Sequence, residues 1–233
     1  MATAYSPKIV TDGLVLCLDA ADRKSYPGTG TAWYDRSGNG HNATLNNGPT
    51  FNSANGGSID FDGSNDYATI TDVIIANPTS LTVGGWFNRN GNGAGYETAL
   101  HHSTDNSIGN SSYWFGLQTD TNKIVGTIGA RESGIGWAAG LTDVVANVGV
   151  WHHVITTWDG TNVRTYVDGV LKKTYALSSY TNLTTPTRVG ASADGSGYVM
   201  NASIANVFIS KNKSFTAEEV LQNYNATKGR FEI

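Results

Sequence analysis

Between Trp151 and Thr174 the chain spells out its own backbone path. Trp151-His152-His153-Val154-Ile155-Thr156-Thr157-Trp158 reads as a strand, Asp159-Gly160 turns it, and Asn162 to Val167 returns. Asp168-Gly169 then leads into Val170-Leu171-Lys172-Lys173-Thr174. A two-residue hairpin loop needs positive φ angles, which Asp-Gly adopts at little cost. A chain that commits to such hairpins builds antiparallel sheets, and its apolar residues must then alternate between faces. Leu14, Leu16 and Leu18 are expected on one face of a strand, and Leu81, Val83, Gly85 and Phe87 on one face of another. Trp151, His153, Ile155 and Thr157 oppose His152, Val154, Thr156 and Trp158, so both faces of that strand carry apolar bulk. Such a strand fits a two-layer sandwich, with the core on one side and covering loops on the other. Further strands are expected at 67–70, 97–101, 113–118, 123–129, 187–190 and 202–209.

One helix is expected, at the C-terminal end. Thr216 is its N-cap and Glu219, three residues on, completes a capping box. Phe215 before the cap can pack on Val220, Leu221 and Tyr224 extend the apolar face, and Gly229 is placed to end the helix. Its simplest role is a lid over one end of the core. The fold class is therefore all-β: a two-sheet antiparallel jelly-roll sandwich with one short C-terminal helix. At 233 residues the chain suits one large β-domain that buries a core without staples. Residues 12–233 are read as that domain and 1–11 as an N-terminal arm.

Composition narrows the partners. Lys+Arg is 15 against 19 Asp+Glu, a net charge of −4, and no basic run or stripe suggests nucleic acid. No apolar stretch approaches the length that inserts in a membrane. The first residues lack the basic-then-apolar order of a signal peptide, so synthesis in a cytoplasm is expected. The single Cys17 excludes an internal disulfide and reads as a small apolar residue on a sheet. Six N-x-[ST] triplets reflect an Asn-, Ser- and Thr-rich surface more simply than glycosylation.

The order of elements carries a resemblance. W-H-H-V at 151–154, D-G-x-x-V-x-x-Y-V-D-G at 159–169, S-I-A-x-V at 203–207 and F-T-A-E-E-V-L-x-N-Y-N at 215–225 resemble the LamG-like branch of concanavalin A-like domains. Trp33 to Thr44, Ser58 to Tyr67 and Ser80 to Phe87 are similar to earlier blocks of the same branch. The ending Asn223-Tyr224-Asn225-Ala226-Thr227-Lys228-Gly229-Arg230-Phe231 further resembles versions common in virion proteins of tailed phages. The resemblance implies a jelly roll, Ca²⁺ at loops of one sandwich edge in some relatives, and a buried imidazole at His153. That imidazole is expected to be hydrogen-bonded.

The chemistry begins with an absence. Glu97, Glu132, Glu218, Glu219 and Glu232 form no E-x-D-x-x-E cluster of the kind retaining glucanases of this superfamily carry. Two-carboxylate glycoside hydrolysis needs its pair about 5 to 9 Å apart across a cleft. No G-x-S-x-G, H-E-x-x-H or P-loop is present, and the chain is expected not to be an enzyme. Adjacent histidines on a strand point to opposite faces, so His101-His102 and His152-His153 make poor zinc sites. Calcium, which takes about six to eight hard oxygens, suits two loops better. Asp62 and Asp66 are the preferred ligands, with Asp35 and Asn39 next, although such residues also simply make turns and Arg36 opposes a cation at the second loop. For carbohydrate, the candidate aromatics are Trp137, set among small residues, with Tyr96, Trp114 and Tyr198; Tyr180 is also available.

These signals lead to a non-enzymatic virion structural protein of a tailed phage: a capsid decoration, head fibre or tail appendage that adheres to surface glycans. Its partners are then other virion proteins and cell-surface glycans. The alternative is a free calcium-dependent carbohydrate-binding module or adhesin, and the third class is a glycoside-active enzyme. No heptads supply a trimerisation stalk, which leaves a homo-oligomer to form through sheet faces.

Overall fold

The computed structural model describes residues 8–71, 75–92, 96–105, 107–118, 120–132, 134–192, 195 and 197–233. Met1 to Pro7, most of the expected arm, lie outside them. In chain order the first eight strands are β1 (Leu14–Asp19), β2 (Ala32–Trp33), β3 (Ala43–Asn46), β4 (Thr50–Asn52), β5 (Ser58–Asp62), β6 (Tyr67–Ile70), β7 (Leu81–Arg89) and β8 (Glu97–Ser103). Then come β9 (Ser111–Gln118), β10 (Lys123–Ile128), β11 (Leu141–Val145), β12 (Trp151–Trp158), β13 (Asn162–Val167), β14 (Val170–Ala176), β15 (Thr187–Val189) and β16 (Asn201–Lys211), followed by helix α1 (Ala217–Thr227).

The strands form two antiparallel sheets. Sheet A runs β14-β13-β12-β7-β16-β5-β4, with β1 also paired to β16; sheet B runs β11-β10-β9-β8-β15-β6-β3-β2. Their facing sides close over one core that includes Leu16, Leu18, Phe61, Phe87, Phe115, Leu117, Val154 and Val207, each at most 1% exposed. The Asp168-Gly169 turn behaves as its residue types dictate, with φ of 53° and 80°. On β12 the two-faced reading holds: Val154 and Trp158 enter the inter-sheet core, while Ile155 and Trp151 pack on the other side.

Four expectations are corrected, one on β1 and three on the helix. Leu14 does not share a face with Leu16 and Leu18, because the β1–β16 register shifts between Leu14 and Leu16. This irregularity inserts an extra residue and sends Leu14 to the outer cluster with Ile155 and Phe208. The helix has its capping box, and Phe215 and Val220 pack in one cluster as a staple would. It is not a lid over the end of the core, however. Phe215 and Val220 lie on Ile155, Tyr166 and Phe208, so α1 covers the outer face of sheet A. Leu221 is 47% exposed rather than part of the apolar face. Gly229 does not end the helix either: the chain continues as a 3-10 turn, Lys228–Phe231, and Glu232 takes the left-handed conformation with φ 60°. That turn seats Phe231 against Trp86 and Trp151, and Arg230 bonds Asp19 at 3.0 Å and the Gly57 carbonyl at 3.1 Å. Among the described residues, no helix is long and apolar enough to cross a membrane.

Candidate functional site

Among the described residues, the outer face of sheet B is covered by loops and a 3-10 turn rather than by an α-helix. There, Trp114 of β9 and Val125 of β10 point away from the inter-sheet core and gather Tyr96, Trp137, Leu141 and Tyr198 around them. Tyr96 is the hub. Its ring meets Trp137 at 4.9 Å, Tyr198 at 5.7 Å and Trp114 at 6.2 Å, each edge to face. Edge-to-face packing is the favoured geometry for rings with opposed quadrupoles. The four aromatics read separately from the sequence thus form one cluster. Tyr96, Trp137 and Tyr198 are partly exposed, while Trp114 is fully buried as its base. Tyr180 stands elsewhere, stacked on Trp158 at 5.6 Å.

Backbone devices hold the cluster in place. Tyr198 sits at φ 48°, an uncommon conformation for a bulky residue, and its carbonyl accepts from the Thr98 N–H at 3.1 Å and hydroxyl at 3.0 Å. Trp137 opens a 3-10 turn, Trp137–Gly140. Gly140 closes that turn onto the sheet, where a Cβ would fall 2.0 Å from the Gly126 carbonyl oxygen. Only glycine permits that approach.

The oxygen-rich loops are used in two ways. Asp35 is a turn anchor: it accepts from the N–H groups of Cys17 at 2.9 Å, Ser37 at 2.8 Å and His41 at 3.1 Å, and from the Ser37 hydroxyl at 2.6 Å. Burial alone would raise its carboxyl, but these donors together hold it below the usual range. Asn39 donates to the Ser37 hydroxyl at 3.0 Å and to the Leu14 carbonyl at 3.3 Å. Asp62 and Asp66 border a groove of about 390 Å³ together with Asp60, Asn47, Asn90 and Asn201. Asp62 accepts from the Ser64 N–H at 2.7 Å, which draws its carboxyl down, while burial pushes Asp66 up. Among the described residues no three His, Cys, Asp or Glu side chains converge as a metal cluster would. A calcium ion at this groove would therefore draw on Asp62, Asp66 and neighbouring amide and backbone oxygens. Asn90 and Asn201 give no sequence signal, because only strand order brings them to the groove.

His153 is buried but not hydrogen-bonded as expected. Its ring stacks on Trp86 at 4.9 Å, its Nδ1 has no partner among the described residues, and burial pushes its pKa down to about 3. Asp168 instead binds the His153 backbone N–H at 2.8 Å and the His152 Nδ1 at 2.9 Å.

Known proteins share this architecture. Residues 62–221 match the concanavalin A-like lectin/glucanases superfamily, so the chain belongs to that superfamily and its fold is that of lectins. No curated protein matches it in sequence. Among solved structures, a Trypanosoma rangeli sialidase in complex with the inhibitor DANA is similar at TM-score 0.66 and 13% identity, over 95% of this chain and 35% of that one. The binding domain of Paraclostridial Mosquitocidal Protein 1 is similar at TM-score 0.66 and 14% identity, over 93% and 52%. The binding domain of Botulinum Neurotoxin DC, in complex with SialylT, is similar at TM-score 0.64 and 16% identity, over 94% and 52%. The chain thus spans about a third of the sialidase and about half of each toxin domain. These likenesses correct the expectation that the chain is not an enzyme. About a third of a sialidase shares its fold, so a missing paired-carboxylate pattern does not decide the matter, and the likeness itself shows a lectin-like fold alone.

Proposed function

We propose that this chain is a glycan-adhesion module of a tailed-phage virion, carried as a capsid decoration, head fibre or tail appendage. Its glycan surface is the aromatic cluster on the outer face of sheet B. The observation that carries this reading is the convergence of Tyr96, Trp137 and Tyr198 on a buried Trp114. Partly exposed rings that carry tyrosine hydroxyls and an indole N–H suit a sugar, apolar on its C–H face and polar at its rim. The toxin binding domains of like fold support the reading, the second of them solved with SialylT. The virion setting, with other virion proteins as partners, is supported by the likeness of the ending at 223–231 to phage versions. Calcium is proposed at the Asp62–Asp66 groove, where it would brace the loop between β5 and β6.

The test is a binding screen of the purified protein on host-envelope polysaccharide and an oligosaccharide panel, with calcium and then with EDTA. Saturable binding lost in Trp137→Ala supports the cluster, and loss in EDTA supports the metal. Binding to no glycan in either condition overturns the adhesion reading. Antibody labelling of purified particles tests the setting, and unlabelled particles overturn it.

A further inference from the structure

A row of polar atoms lies beneath the aromatic cluster. Trp114 is the direct cross-strand partner of His101 on β8 and of Thr127 on β10, so the three side chains share the outer face of sheet B. All three are fully buried. Among the described residues, the Trp114 Nε1, the His101 Nδ1 and the Thr127 Oγ1 have no hydrogen-bond partner. Buried polar atoms are paired in the great majority of cases, and leaving one unpaired is costly. Here three such atoms, on the adjacent strands β8, β9 and β10, lie on one face of the sheet.

The surroundings agree. The His101 Nε2 bonds the Ser111 hydroxyl at 2.7 Å, which fixes the ring and leaves Nδ1 as its unused edge. Burial holds this imidazole neutral. The set therefore offers an indole donor, a hydroxyl that donates or accepts, and an imidazole nitrogen whose role follows its tautomer. The turn that carries Trp137 roofs the row: the Cβ position of Gly140 is 3.2 Å from the Thr127 Cγ2. Gly134 and Gly136, at φ 80° and 66° with nothing within 4 Å of their Cβ positions, lead into that roof.

We propose that the His101–Trp114–Thr127 row is a subsite for hydroxyl groups of a bound sugar residue, entered under Trp137. It rests on the reading of this face as a glycan surface, and adds that specificity comes from buried hydrogen bonds below the exposed rings. A site built to bond a hydroxyl rejects an analogue that lacks it far more strongly than ring stacking does.

Thr127→Val, nearly isosteric, is the test, with Thr127→Ser as the variant that keeps the hydroxyl and Trp114→Phe as a second probe of the row. Each is melted without ligand and titrated with the best-binding oligosaccharide of the panel. Thr127→Val is expected to melt no lower than the wild type, because it removes an unpartnered group, and to bind at least about tenfold more weakly. Thr127→Ser is expected to bind as the wild type does. Unchanged affinity in both Thr127→Val and Trp114→Phe overturns the subsite while the adhesion reading stands. A lowered melting point in ligand-free Thr127→Val overturns it too, since the hydroxyl is then satisfied in the free protein. Wild type that binds no glycan overturns the adhesion reading, and the subsite with it.

Discussion

Asp35 and His153 answer acid in different ranges because burial and hydrogen bonding act on opposite charge states. His101 and His153 are pushed down to about 3 and His102 to about 4, in each case chiefly by burial, from an ordinary value of 6.5. Between those values the unfolded chain binds protons that the folded chain refuses. Their contribution to stability is therefore complete above about pH 6.5 and is lost as the pH falls from there. Asp35, held below its ordinary value of 3.8, contributes above that value and loses its contribution only as the pH falls through its lowered folded value. The melting temperature is expected to fall progressively between pH 6.5 and pH 4, before any carboxylate anchored like Asp35 titrates. His153→Phe keeps a ring against Trp86 and removes one such proton site, so its melting profile over that range is expected to be shallower. An identical slope in wild type and variant would refute the assignment. The burial of His153 was legible from its W-x-H-V context. Its missing hydrogen bond was not, since its ring neighbours, Trp86 across β7 and Tyr224 of α1, are set by strand pairing and by where the helix lands.

At the scale of elements, what is local was readable. The bounds of β12 and β13 and the Asp168-Gly169 hairpin follow from alternation and turn chemistry within a few residues. The Thr216–Glu219 capping box likewise needs only its own four residues. Thr216→Ala removes the hydroxyl that accepts from the Glu219 N–H and should cost about 1 kcal/mol, read as a lower denaturation midpoint. An unchanged midpoint would mean that tertiary contacts alone fix the start of α1. What is not local was misread. The side taken by Leu14 depends on a register shift against β16, nearly two hundred residues away in sequence. The placement of α1 depends on the outer face of sheet A presenting Ile155, Tyr166 and Phe208 as an uncovered apolar strip. Phe231→Ala strips the cover from Trp86 and is expected to cost about 3 kcal/mol or more, with a change in tryptophan emission. Emission and stability both like wild type would place the C-terminal turn elsewhere.

The whole molecule treats the outer faces of its two sheets differently, and that asymmetry locates function. Sheet A is sealed by the chain itself, through α1 on Ile155 and Phe208 and through Phe231 and Tyr224 on Trp86. Among the described residues, sheet B is covered by turns and loops that leave Tyr96, Trp137 and Tyr198 partly in solvent. The residue types of the site were legible in the sequence, because a large ring among small residues is conspicuous. Their union was not: positions 96, 114, 137 and 198 meet only once β8, β9 and β10 pair in register and β16 returns beside β7. Glycan binding should accordingly divide by face. Trp137→Ala and Tyr198→Ala are expected to weaken it by about tenfold or more, the loss of one stacked ring, with the melting temperature little changed. Leu221→Ser and Lys172→Ala, exposed on the helix and on the β14 edge of sheet A, are expected to leave affinity as it is. The reverse pattern, with loss at Leu221 or Lys172 and none at the rings, would move the binding surface to sheet A. It would also recast the aromatic cluster as a packing element that steadies β9 and β10.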